Sequence, residues 1–118
     1  MLSLPAAVRI YLCTAPTDLR RGFDGLAAMT REVLHEDPLS GHLFVFCNRR
    51  GDRLKLLYWD RDGYAVWYKR LEKGRFHLPT PPDSDGRIDG RALAMILEGM
   101  DPASVRRRPR LVLPAPAP

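Results

Sequence analysis

The sequence predicts an α+β fold, a mainly antiparallel sheet of four or five strands with two helices packed on one side. Three observations lead there. Between Gly41 and Phe76 the runs His42–Asn48, Arg53–Trp59 and Tyr64–Leu71 alternate like strands and are parted by the tight turns Arg49–Asp52 and Asp60–Gly63, which is the pattern of a meander. On either side of that meander, apolar residues recur at helical spacing. The chain has 118 residues, enough for one domain to bury about two thirds of its unfolded surface without disulfides or metals.

Taken in order, Val8–Cys13 is a short β-rich run ended by Ala15 and Pro16, and it predicts the first strand. Phe23, Leu26, Met29, Val33 and Leu34 then predict a helix over about Asp24–His35, with Asp24 as N-cap. Asp37–Gly41 is a loop. In the meander, Leu54, Leu56 and Tyr58 share one face and Lys55, Leu57 and Trp59 the other; next to them Tyr64, Val66, Tyr68 and Arg70 oppose Ala65, Trp67 and Lys69. Arg75–Leu78 reads as a short edge strand after Gly74, and the proline-rich Pro79–Gly86 as a connection that cannot pair centrally. Asp89 is a good N-cap for a second helix, with Ile88 and Leu93 as a hydrophobic staple and Leu93, Ile96, Leu97 and Met100 as its buried stripe, stopped by Asp101 and Pro102. Residues 1–102 thus form a single α+β domain and 103–118 a basic, proline-rich flexible tail.

Charge is spread unevenly. The chain carries +5 overall, and His42–Leu78 alone sets nine cations against four carboxylates. The tail adds Arg106, Arg107, Arg108 and Arg110, while the remainder is net acidic. Sixteen of the nineteen cations are arginine, which suits bidentate phosphate or carboxylate contacts and equally fits a GC-rich coding bias. Cys13 and Cys47 lie in apolar runs without ligand spacing and read as reduced core residues. The N-terminus lacks a basic n-region and is broken by Pro5 and Arg9, so no signal peptide is expected. No stretch has the length of a membrane span, and the expected compartment is the cytoplasm.

Catalytic signatures are weak. Asp60 and Asp62, with Glu72, could hold a metal as in a nuclease, but Asp60-Arg61-Asp62-Gly63 has the composition of a hairpin turn and Glu72-Lys73 lacks E-x-K spacing. His35, His42, His77 and Cys47 show no zinc-finger spacing, so no metal or other cofactor is expected. Arg50-Gly51-Asp52 spells an adhesion tripeptide but reads as a turn. Thr17-Asp18-Leu19-Arg20-Arg21-Gly22 is either a partner-binding corner or a rigid connection in which Gly22 adopts a left-handed conformation.

The phrases TAPTDLRRGFDGL (Thr14–Leu26), Gly41–Phe76 as a whole, and ALAMILEGMD (Ala92–Asp101) closely resemble the TnpB-type accessory proteins of the IS-sixty-six class of bacterial insertion sequences, over about Ser3–Asp101. The resemblance implies a small protein that assists a separate DDE-type transposase, with no assigned catalytic activity and no catalytic residues to carry over. The residues themselves point to a non-enzymatic protein that contacts DNA phosphates weakly and without sequence preference through one contiguous basic hairpin face. Arg49, Arg50, Arg53, Lys55, Lys69, Arg70, Lys73 and Arg75 would meet the backbone and Trp59 and Trp67 would stack or pack nearby. The alternative is an adaptor that binds the transposase or another transposition protein through an aromatic sheet face without touching DNA. In a bland reading the aromatics are cross-strand packing pairs and the arginines a solvated surface.

Overall fold

A computed structural model of the chain describes residues 7–80 and 85–99. Its elements run β1 (Ile10–Leu12), α1 (Phe23–Glu32), β2 (Leu43–Cys47), β3 (Arg53–Asp60), β4 (Gly63–Arg70), β5 (Arg87–Ile88) and α2 (Gly90–Glu98). The five strands form one sheet in the order β4-β3-β2-β1-β5. All neighbours are antiparallel except β1 and β2, which run parallel with Ile10 opposite Leu43 and are joined through α1. The fold is α+β with a mixed, mostly antiparallel sheet.

The two helices do not share a side, contrary to the expectation from sequence. Every residue of β2 is buried, and along it the side chains alternate between two separate clusters. Leu43, Val45 and Cys47 join Ile10, Leu12, Leu54 and Leu56 beneath Leu93 and Ile96 of α2. Phe44 and Phe46 join Tyr11, Cys13 and Leu57 beneath Leu26 and Ala27 of α1. A strand apolar on both faces needs a cover on each, since fully burying one Leu or Phe side chain contributes about 1.5–3 kcal/mol. Met29, Tyr64 and Val66 extend the α1 side, and Tyr58, Trp67, Leu71 and Leu78 the α2 side. Cys13 and Cys47 are both free thiols, buried on opposite faces of the sheet.

Local details correct several expectations. The N-cap of α1 is Gly22, not Asp24; its φ of −88° is not left-handed, and no side chain caps the helix. Asp24 falls in the first turn, where its charge still suits the helix dipole. Arg75–Leu78 forms no strand: Phe76 is buried under the α2 face and its N–H donates to Gly51 O at 2.8 Å. The fifth strand is instead Arg87–Ile88, which pairs with β1 through Ile10 opposite Ile88. Asp89 does cap α2, accepting from the Ala92 N–H at 2.8 Å, and Ile88 and Leu93 meet in one cluster as a staple requires. The helix stops at Gly99, in the left-handed region at φ 79°, ahead of Asp101 and Pro102. Met100, the boundary at residue 102 and the tail lie outside the described residues, as does part of the proline-rich connection.

Two backbone positions make opposite predictions. Gly86 sits at φ 82°, with a Cβ there only 2.8 Å from Leu12 O, so it lets the chain come close enough for its own carbonyl to accept from Leu12 N. Arg61, at the β3–β4 tip, holds φ 53° without being glycine, under a bond from Asp62 N to Asp60 O. Gly86→Ala is expected to cost about 2 kcal/mol or more, whereas Arg61→Gly is neutral or gains up to about 1 kcal/mol. Urea melts of the two variants beside the parent check both signs.

Candidate functional site

The β3–β4 register brings the cationic residues to one end of the sheet. Arg53 at the start of β3 stands directly opposite Arg70 at the end of β4, both on the face that α1 covers further along. Like charges in a directly opposed pair work against the sheet by a few tenths of a kcal/mol or more. Arg70 is partly compensated by Glu72 at 3.0 Å, an exposed pair of little energetic weight.

The loop from β2 to β3 carries Arg49 and Arg50, and Asn48 shapes it. Its amide donates to Asp52 Oδ1 at 2.7 Å while its side-chain oxygen accepts from Arg53 N at 3.0 Å, and its carbonyl accepts from Gly51 N. The same bond from Asn48 holds the Asp52 carboxyl below the usual range, helped by the charges of Arg50 and Arg53. The segment following the hairpin wraps back on this loop: Leu71 N donates to Asp52 O at 2.7 Å, and the Arg75 stem runs beside Gly51, 3.5 Å from where a Cβ would sit.

A third segment completes the site. Thr17 N donates to Cys47 O at 2.9 Å, which lays the Pro16–Gly22 corner against the end of β2. Asp18 grips Arg20 through a salt bridge of 2.7 Å and through the Arg20 N–H, and the guanidinium holds the Asp18 carboxyl down to about 2. From the sheet, the Lys55 ammonium donates to the carbonyls of Leu19 at 2.7 Å and Arg21 at 3.2 Å, with the Tyr68 ring 5.0 Å away. Between corner and loop lies an open groove of about 530 Å³, with Asp18, Arg20 and Arg21 on one wall and Arg49, Arg50, Asp52 and Arg53 on the other. Its five guanidinium groups against two carboxylates leave a local excess of three positive charges.

The model of one protein family, described as IS66 Orf2 like protein, matches residues 8–107. The chain belongs to this family. Membership makes it an accessory protein associated with transposition. Two proteins from Sinorhizobium fredii (strain NBRC 101917 / NGR234) are similar along nearly their whole lengths. "Uncharacterized protein y4jC" is 36% identical over 109 residues, covering 92% of this chain and 93% of that protein. "Uncharacterized protein y4hO" is 40% identical over 101 residues, covering 86% and 88%. No solved structure matches significantly.

In this IS66 Orf2-like chain the predicted site residues do not form one face. Arg49, Arg50, Arg53 and Arg70 gather at the groove end, with Lys73 and Arg75 in the exposed loop beside it. Lys69 and Trp67 point to the opposite side of the sheet, where Trp67 packs on the α2 cluster. Trp59 lies at the far tip, edge-on to Tyr64 at 5.1 Å, so both tryptophans are engaged in packing. The exposed aromatic among the cations is Tyr68, 48% accessible. Lys55 spends its ammonium on backbone carbonyls and acts as a positioning residue for the Arg20–Arg21 corner. The sequence offers that corner as a partner-binding alternative but, as with Asn48, does not group it with the hairpin arginines; it is far from them in sequence, and the bonds from Thr17 and Lys55 bring them together. Asp60 and Asp62 are exposed at the hairpin tip, and among the described residues no three His, Cys, Asp or Glu side chains come together to hold a metal. Among the same residues no helix is long and apolar enough to cross a membrane.

Replacing Lys55 by Met keeps the stem and removes the donor from two carbonyls, so unfolding free energy should fall by about 1–3 kcal/mol. Lys69→Met, on the other face, should stay within about 0.5 kcal/mol. Burial pushes the Cys47 thiol up to about 11. Iodoacetamide at pH 8 should therefore modify Cys47 at least about 100-fold more slowly than a free cysteine, and peptide mapping reads that rate separately from Cys13.

Proposed function

We propose that the protein assists transposition without a catalytic step of its own, by contacting DNA phosphates through the arginine groove and the Arg53–Arg70 pair beside it. The observation that carries this reading is the convergence of Arg20, Arg21, Arg49, Arg50 and Arg53 on one open groove, from two chain segments that the fold clamps together. A protein that gained nothing from such a concentration of charge would be more stable without it, since directly opposed cations and clustered guanidinium groups repel. An anionic backbone relieves the repulsion, and guanidinium forks match its oxygens. Tyr68 offers a ring for a base or sugar at the edge of the same region. Among the described residues neither helix lines the groove, which favours backbone contact over base reading and so weak binding largely independent of sequence.

The adaptor alternative, in which the transposase or another transposition protein docks on an aromatic sheet face, has less support. A helix covers each face, and Trp59 and Trp67 are engaged in packing.

Salt titration of duplex binding tests the proposal. With about five phosphates neutralised, log affinity should fall against log salt with a slope of about −4.5. In Arg49→Ala/Arg50→Ala/Arg53→Ala the slope should become shallower by about 2.7, with at least about tenfold weaker binding at low salt. Arg31→Ala/Arg91→Ala, on the exposed sides of α1 and α2, is the control away from the groove, compared per charge removed. Flat salt dependence, or equal losses per charge in the triple variant and the control, would overturn the groove and leave the adaptor reading in its place.

A further inference from the structure

We propose that the free edge of β4 pairs with β4 of a second copy of this chain, antiparallel across a two-fold axis at Val66, joining two five-stranded sheets into one of ten strands. The two edges of the sheet differ. β5 is two residues long, a common form of edge protection, whereas β4 is eight residues long and, among the described residues, is bonded to β3 alone. It contains no proline, and its register with β3 is unbroken from Arg53–Arg70 to Asp60–Gly63, so no bulge turns the edge away.

The bond from Leu71 N to Asp52 O fixes which backbone groups point outward. In an antiparallel ladder bonded pairs alternate, so Lys69, Trp67, Ala65 and Gly63 exchange bonds with β3, and Tyr64, Val66, Tyr68 and Arg70 turn their N–H and C=O groups to the open edge.

The side chains indicate the occupant. Charge is polar along the strand: Asp60 and Asp62, with Arg61 between them, leave its turn end net acidic, and Lys69 and Arg70, the latter paired with Glu72, leave its other end net basic. A parallel neighbour copy would set like charges side by side. An antiparallel copy centred on Val66 sets Arg70 opposite Asp62, Lys69 opposite Gly63 and Tyr68 opposite Tyr64, and it lets the large Trp67 face the small Ala65. In this register Tyr64, Val66 and Tyr68 of one copy meet outward-bonding positions of the other, so the ladder is continuous across the axis, and Arg70 meets Asp62 at the turn beyond the strand. Tyr68, 48% exposed at this edge, gains a cross-strand aromatic partner. The inference does not rest on DNA contact.

The test uses the full chain in analytical ultracentrifugation. The parent should sediment, at concentrations up to about 100 µM, with a mass approaching twice its 13.4 kDa. Val66→Pro removes an outward N–H that β3 does not use and should lower dimer affinity at least about tenfold. Asp62→Arg and Arg70→Asp each oppose like charges across the axis and should weaken association about tenfold, while the double exchange should restore it to within about threefold of the parent. Far-UV circular dichroism shows that each variant is folded. A parent that stays monomeric over this range, a dimer indifferent to Val66→Pro, or a double exchange no better than the singles would each overturn the proposal. An edge occupied by the chain's own residues outside 7–80 and 85–99 would appear as the first of these outcomes.

Discussion

The burial of β2 on both faces is the constraint from which the rest of the architecture follows. Five successive apolar residues, Leu43–Cys47, cannot be served by a one-sided core. The strand must be central, its neighbours must bring apolar side chains to both faces, and a helix must close each side. The parallel pairing of β1 with β2 supplies this economically. The crossover from one strand to the next is where α1 lies, and β1 in turn presents Tyr11 to one face and Ile10 and Leu12 to the other. With the centre committed, β3 and β4 extend outward with progressively fewer buried residues, and the most polar end of the hairpin falls at the margin.

That margin is where charge can accumulate. Arg53 and Arg70 face each other because the two-residue connection at Arg61-Asp62 fixes the hairpin register over its whole length. The Pro16–Gly22 corner arrives at the same place through backbone contact with the end of β2. Lys55 is the joint between sheet and corner: its long stem crosses half-buried surface and its ammonium ends on two carbonyls. The groove is thus assembled from short-range turn chemistry at Asn48 and Asp18 and from a few long-range bonds. None of its arginines has to be buried, which leaves them available to an anion at little cost in desolvation.

The three strands of the meander and the existence of both helices were legible because each has a clear period and polar punctuation. The facial assignment along β3 and β4 was legible too, since alternation is geometric. The side taken by each helix was misjudged, although the run LFVFC carries the signal of two-sided burial and differs visibly from the half-polar alternation of Arg53–Trp59. β5 was hidden by its length: two residues give no period, and Ile88 is explained equally well as a helix staple. In the site, nearby arginines could be grouped from the hairpin register, but neither Trp67 nor Lys69 belongs with them, by the parity of the strand. The contribution of Arg20 and Arg21 depends on tertiary bonds that leave no local pattern.

The position of β1 also orders events in time. One of its partners follows it in the first half of the sequence, and the other, β5, comes close to the end of the described chain. As the polypeptide emerges from a ribosome, the segment through β4 can form four strands with α1 already in place, while Leu12, Val45, Leu54 and Leu56 still face water. Only when residues 87–98 appear do they close that surface and cover the outer side of β1. A chain synthesised through β4 but not yet through α2 is therefore capped on the α1 face alone, with the apolar side chains that Leu93 and Ile96 later cover still waiting for them.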